Sequence, residues 1–260
     1  MEFEGIKAQG LEKRYGSGST AVTVLEDLDI EIQPQSFVSL LGPSGCGKST
    51  LLKILGGIEE ASAGDVTVNG LPVADAVKER QFGLVPQKAA LLPWKSAIDN
   101  IRMLRQIATR KKRGADIDEA ASKALEMVGL TAAANKLPHQ LSGGMAQRVS
   151  IARALALDPQ ILLMDEPFGA LDAITRDEMN LRLADVWAET RKTIVFVTHS
   201  IPEAVFLSDV IHVMGTNPGR IVETLEIDLP RPRTLDVFDD PTFQEYTAHL
   251  RRQLEPKAVA

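Results

Sequence analysis

The chain has 260 residues, 44% hydrophobic and 25% charged, and its apolar runs are strand-sized, far short of the roughly eighteen residues a membrane helix needs. That pattern excludes a chain that spans a bilayer by itself. A formal net charge of −6, from 29 basic and 35 acidic residues, argues against nucleic acid as a partner, while the single Cys46 excludes an internal disulfide. The start Met1-Glu2-Phe3-Glu4 lacks the basic and apolar stretches of a signal peptide, which fits a reducing cytoplasm.

In chain order, the first stretch reads as strands and turns, leading to the run Phe37–Leu41, which is apolar without alternation as in a strand covered on both faces. It feeds Gly42-Pro43-Ser44-Gly45-Cys46-Gly47-Lys48-Ser49-Thr50, which fits G-x-x-x-x-G-K-[ST], and then a helix pattern over 51–55 closed by Gly56-Gly57. Glycines at these steps let backbone N–H groups curl around phosphate oxygens, and the helix N-terminus adds its positive end. Lys48 brings charge to the outer phosphates, and Ser49 offers a Mg²⁺ ligand. Cys46 reads as a small filler within the loop.

Gln87 ends the strand-like run 82–87 as an uncharged ligand for Mg²⁺ or water. Between 88 and 157, helical patterns such as 119–128 predict a helical lobe inserted into the sheet domain. The basic run 110–113 inside it reads as a solvated loop. Leu91, Leu92 and Trp94 read either as lobe packing or as a surface that docks a membrane partner. Leu141-Ser142-Gly143-Gly144-Met145 precedes a helical stretch over 146–157, with Ser142 as its N-cap. Two bare glycines there leave backbone donors open, half of a phosphate site without a lysine or metal ligand. A two-fold dimer, each chain completing the other's nucleotide pocket, uses both half-sites.

The apolar run 161–164 ends in Asp165-Glu166, two carboxylates at the C-terminal edge of a buried strand. Asp165 would hold Mg²⁺, and Glu166 would orient and polarise water for in-line attack on the γ-phosphate. His199 follows the apolar strand 193–197 and is expected at the same sheet edge as Lys48 and Asp165. Strands alternating with helices predict an α/β fold with a mainly parallel sheet. After Leu229, Pro230-Arg231-Pro232-Arg233 and a polar helix-like stretch read as a linker with an appended segment.

Taken in this order, the motifs resemble the ATP-binding subunits of ABC transporters over nearly the whole chain, from about Phe3 to Leu229. The resemblance implies a P-loop NTPase core of α/β class, with a mainly parallel sheet, an N-terminal antiparallel β portion and an inserted α-helical subdomain. It implies a core at 1–87 and 158–229, a helical subdomain carrying the signature motif at 88–157, and a C-terminal tail at 230–260. Tyr15 resembles the aromatic that stacks on adenine, although an aromatic before a Gly-Ser turn is equally a strand-end packing residue. Gly42, Pro43, Ser44, Gly45, Cys46, Gly47, Lys48, Ser49 and Thr50 match the Walker A loop, and Ser142, Gly143 and Gly144 lie in the signature. Asp165 matches Walker B, Glu166 the catalytic glutamate, Gln87 the Q-loop glutamine, Ala170-Leu171-Asp172 the D-loop and His199 the switch histidine. The implied catalytic set is Glu166, His199 and Gln87, and the implied Mg²⁺ ligands are Ser49, Gln87 and Asp165.

Met145 stands where the family commonly has glutamine and Ala146 where a basic residue is frequent; with phosphate contacts from Ser142 and the glycine backbone, activity is expected to survive. Met145, Leu91-Leu92-Pro93-Trp94, the stretch from Asp165 to Asp172 and Pro218-Gly219-Arg220-Ile221 resemble the nitrate, sulfonate and taurine importer ATPases, with importers of thiamine-pyrimidine precursors close to them. The expected protein is therefore an ATP hydrolase using ATP and Mg²⁺, working as a two-fold dimer on the cytoplasmic face of a membrane. Its expected partners are permease subunits and an extracytoplasmic solute-binding protein. The alternative is a soluble ABC-type ATPase that clamps a macromolecule in assembly or repair. A small-molecule kinase leaves residues 141–145 unexplained.

Overall fold

The computed structural model describes residues 4–111 and 114–255, apart from the side chain at position 19. Its strands are β1 (Ile6–Tyr15), β2 (Val22–Ile32), β3 (Phe37–Leu41), β4 (Ala63–Val68), β5 (Leu71–Pro72), β6 (Phe82–Val85), β7 (Ile161–Asp165), β8 (Thr193–Thr198), β9 (Val210–Gly215) and β10 (Arg220–Glu226). Its helices are α1 (Lys48–Leu55), α2 (Val73–Lys78), α3 (Ala97–Thr109), α4 (Ala115–Met127), α5 (Gly143–Leu155), α6 (Ala173–Thr190), α7 (Ile201–Leu207) and α8 (Pro241–Leu254). The chain divides into two compact units, one formed by residues up to Glu79 together with those from Thr193 onward, the other by Arg80–Lys192.

In the first unit, β1 pairs antiparallel with β2 and β4, and β4 with β5, which is the expected antiparallel portion. The expected parallel arrangement appears where β3 lies between β8 and β9, while β10 closes antiparallel on β9. Every residue of β3 and β8 is buried, the reason these runs show no alternation. Phe37 and Phe196 meet between them with ring centroids 5.8 Å apart. Helix α1 packs on β8, and α7 on both β3 and β8.

The stretch expected to be a linker is bonded into this unit. Arg231 pairs with Asp209 at 2.8 Å, and Asp209 in turn accepts the Phe37 N–H at 2.8 Å. Arg233 is buried and donates to the carbonyls of Val205, Phe206 and Ser208 at the C-terminal end of α7, and to that of Leu229. Beyond it, α8 seats Phe243 edge-on to Phe238, with centroids 5.0 Å apart, and buries Leu250.

In the second unit, β6 runs parallel to β7, and α3, α4 and α5 pack on one another between them in sequence. Helix α4 begins at Ala115, four residues before the pattern that predicted it, because Asp116 and Asp118 suit a first turn. Of the basic run 110–113, Arg110 ends α3 in a left-handed conformation, and residues 112 and 113 lie outside the described residues.

Candidate functional site

The first unit holds Tyr15, the glycine loop and His199. Leaving β3, the loop passes through left-handed Gly45 (φ +81°) and Gly47 (φ +97°), conformations that L side chains rarely adopt. A Cβ at Gly45 would meet nothing within 4 Å, so the space over the loop is open, whereas one at Gly47 would press to 2.7 Å from Leu25. Gly47 is the N-cap of α1, so Lys48, Ser49 and Thr50 form its first turn, whose N–H groups have no acceptor within the helix. The Lys48 ammonium curls back over the loop, donating to the carbonyls of Gly42 (2.7 Å) and Pro43 (2.9 Å). Cys46 is buried beneath it, 4.0 Å from the Lys48 nitrogen, as a filler should be.

Tyr15 ends β1 with 42% of its surface exposed. Its hydroxyl donates to Glu59, and the Lys13 ammonium lies 4.9 Å from the ring centroid and 3.1 Å from the same carboxylate. The bond donated to Glu59, then burial, raise the phenol's pKa, with the Thr50 hydroxyl acting in the opposite sense. Through the same bond the Glu59 carboxyl is held below its ordinary range. Lys13 and Glu59 were invisible to sequence reasoning, since Glu59 is separated from Tyr15 by 44 positions and belongs to no recognisable pattern.

Leu41 pairs in register with Thr198, so Gly42 and His199 leave their strands at one edge. The turn after β8 is held by the Thr198 hydroxyl, which donates to the buried Glu203 and accepts the Ser200 N–H at 3.0 Å. His199 is exposed at that turn.

The second unit holds Gln87, Ser142, Gly143, Gly144, Asp165 and Glu166. Val85 is level with Met164, so the residues following β6 and β7 also leave at one edge. Gln87 Nε2 there comes to 3.5 Å from Glu166 Oε2. Asp165 is the last residue of β7, and Glu166 next to it is left-handed (φ +42°), in a turn closed by the Gly169 N–H on the Glu166 carbonyl at 3.1 Å. A non-glycine residue in that region carries strain of about 1–3 kcal/mol, a common feature of functional turns.

Ser142 caps α5, its Oγ accepting the Met145 N–H at 3.2 Å while its carbonyl accepts the Ala146 N–H at 2.9 Å. The helix thus starts at Gly143, three residues before its expected start, and both glycines sit in its first turn. Asp172 is the N-cap of α6; its bonds to the backbone N–H of Thr175, then to the Thr175 hydroxyl, hold its carboxyl below the ordinary range. Trp94 is 72% exposed while Leu91 and Leu92 are half-buried, so the tryptophan lies outside the packing of the lobe.

A family model described as ABC transporter matches residues 25–169. A nitrate import ATP-binding protein of Synechococcus elongatus is 43% identical over 223 residues, covering 85% of this chain and 81% of its own. A taurine import ATP-binding protein of Rhizobium johnstonii is 46% identical over 218 residues, covering 84% and 80%. Among solved structures, a dimeric ATP-binding cassette in a post-hydrolysis state, bound to ADP and Pi, superposes with a TM-score of 0.76 at 31% identity, covering 86% of this chain and all of the other.

Proposed function

The chain belongs to the ABC transporter family, as an ATP-binding and ATP-hydrolysing subunit of the importer type, and from that premise we propose that it drives uptake of a small anion through a separate membrane permease. The names of its relatives, which import nitrate and the sulfonate-bearing zwitterion taurine, support a small solute that presents an oxyanion group. Among the described residues no helix is long and apolar enough to cross a membrane, and in this reading attachment to the cytoplasmic face comes through the permease. An extracytoplasmic protein would deliver the solute. We place the nucleotide-binding core at 1–87 and 158–229, the helical subdomain at 88–157 and the tail at 230–260.

Tyr15 offers its open ring to adenine, and the backbone from Gly42 to Thr50, with the Lys48 ammonium, surrounds the phosphates. Ser49, Gln87 and Asp165 supply hard oxygen donors of the kind Mg²⁺ prefers, and Ser49 begins the helix that closes the phosphate loop. Bound Mg²⁺ would neutralise charge on the β- and γ-phosphates. Glu166 accepts a hydrogen bond from the attacking water and aligns it, Gln87 holds the same water from beside the carboxylate, and His199 donates towards the γ-phosphate. Ser142, Gly143 and Gly144 serve the nucleotide held by a second copy, a use the dimeric relative supports.

The approach of Gln87 to Glu166, from the ends of paired strands, carries the hydrolytic reading. Glu166→Gln keeps the volume and removes the charge. The variant should bind ATP, lose hydrolysis, and accumulate as an ATP-dependent dimer in size-exclusion chromatography with Mg²⁺. Normal turnover would refute the role of Glu166, and an inactive variant that stays monomeric with bound ATP would refute the shared site.

A further inference from the structure

The segment from Pro86 to Ser96, which carries Gln87, has neither helix nor strand, so its carbonyls need partners from elsewhere. Buried side chains provide them. Gln147 Nε2 donates to the Pro86 carbonyl at 3.1 Å, immediately before Gln87. Two nitrogens of the Arg153 guanidinium donate to the carbonyls of Ala89 and Ala90, both at 2.9 Å. Further on, Asn100 bonds the backbone of Leu92, Lys95 and Ser96.

Gln147 and Arg153 both belong to α5, the helix whose first turn is Gly143-Gly144, and both are more than nine-tenths buried. Six residues separate them, about 9 Å of helix, enough to reach both sides of Gln87. Arg153 pairs with no carboxylate among the described residues; its partners are the two carbonyls and the Ser150 hydroxyl. Burial alone lowers its pKa. A charge buried against neutral acceptors is a poor way to gain stability, because an apolar side chain of like volume fills the space without the desolvation penalty. What an apolar side chain cannot do is fix two successive carbonyls. Ala90 is left-handed (φ +45°), a conformation an alanine does not choose unaided, and its carbonyl is one of the two that Arg153 holds.

We propose that Gln147 and Arg153 are positioning residues for hydrolysis: they clamp the backbone on both sides of Gln87 to α5, so that the Gln87 side chain and the Ser142-Gly143-Gly144 turn are placed by one rigid element. This rests on the reading of Gln87 given above. If the side chain of Gln87 acts near the γ-phosphate, loosening its backbone lowers turnover and leaves the grip on adenine and the loop intact.

Gln147→Glu removes the donor with almost no change of shape, and Arg153→Lys keeps the charge but loses the two-pronged reach. In the full chain each should lower kcat for ATP about tenfold with KM changed less than about twofold, the pattern of an interaction used in the transition state. Combined with Gln87→Ala, which lowers kcat by itself, neither should lower it further by more than about twofold, because the clamp acts only through Gln87. Thermal unfolding of each variant identifies any that fails to fold, and the substitution on the other side of Gln87 then carries the test. Undiminished kcat in a folded variant, or losses that multiply with that of Gln87→Ala, would overturn the clamp while leaving Gln87 in its role. Full activity of Gln87→Ala would instead overturn the reading of Gln87, and the clamp with it.

Discussion

His212 gives the chain a specific sensitivity to acid. It lies on β9, level with Leu40 of the strand that leads into the phosphate loop, and is only 4% exposed. Its Nδ1 meets the Thr224 hydroxyl at 2.9 Å, and Nε2 has no hydrogen-bond partner among the described residues. Lys7, Asp29 and Glu31 line the cavity beside it. Burial brings its pKa from an ordinary 6.5 down to about 4. The unfolded chain therefore binds a proton that the folded chain refuses across that interval. The stabilising contribution is fully present above pH 6.5, declines as pH falls, and is lost through pH 4. Linkage gives a loss of about 2 kcal/mol between pH 7 and pH 5, and about 3 kcal/mol when complete. Urea unfolding at those two pH values, for the wild type and for His212→Asn, measures it. Other groups titrate equally in both proteins, so the wild type should lose about 2 kcal/mol more than the variant. Parallel losses would refute the attribution to His212.

Three further outcomes are expected. Tyr15→Phe and Glu59→Ala should each raise KM for ATP about threefold at unchanged kcat, with no further rise when combined, because each removes the same bond; additive effects in steady-state kinetics would count against it. Ser142→Arg added to Glu166→Gln should cancel the ATP-dependent dimer, since an arginine side chain fills the space before the first turn of α5; a dimer that persists in size-exclusion chromatography would remove Ser142 from the shared site. Trp94→Ala should weaken copurification with the permease and reduce transport in reconstituted vesicles, and wild-type levels of both would show that the exposed indole is no docking residue.

The parts of the site legible in the sequence are those in which one short stretch contains both the chemistry and the structure that presents it. The glycine loop lies between an apolar strand and a helix, and Asp165-Glu166 ends an apolar run, so local pattern placed both. Boundaries that depend on capping were harder to read: glycines disfavour helix, yet the Ser142 hydroxyl caps the Met145 N–H and its carbonyl takes the Ala146 N–H, which starts α5 at Gly143. Interactions distant in sequence were not legible at all. Nothing near Tyr15 announces Glu59, and nothing in the pattern of α5 says that Arg153 turns inward to the carbonyls of Ala89 and Ala90.

Arg233 has a consequence for how such chains diversify. Its guanidinium, with a pKa lowered to about 10 mainly by burial, sits on the carbonyls at the negative end of α7, the helix that begins two residues after His199. A C-terminal segment that merely followed the catalytic core could be exchanged for another as a cassette, leaving the core indifferent to its replacement. Here the segment lends the core an arginine, so a graft joined at Leu229 must bring a cation to the same carbonyls or leave the end of α7 uncapped. The junction that sequence composition marks as the easiest place to cut thereby becomes one of the less permissive.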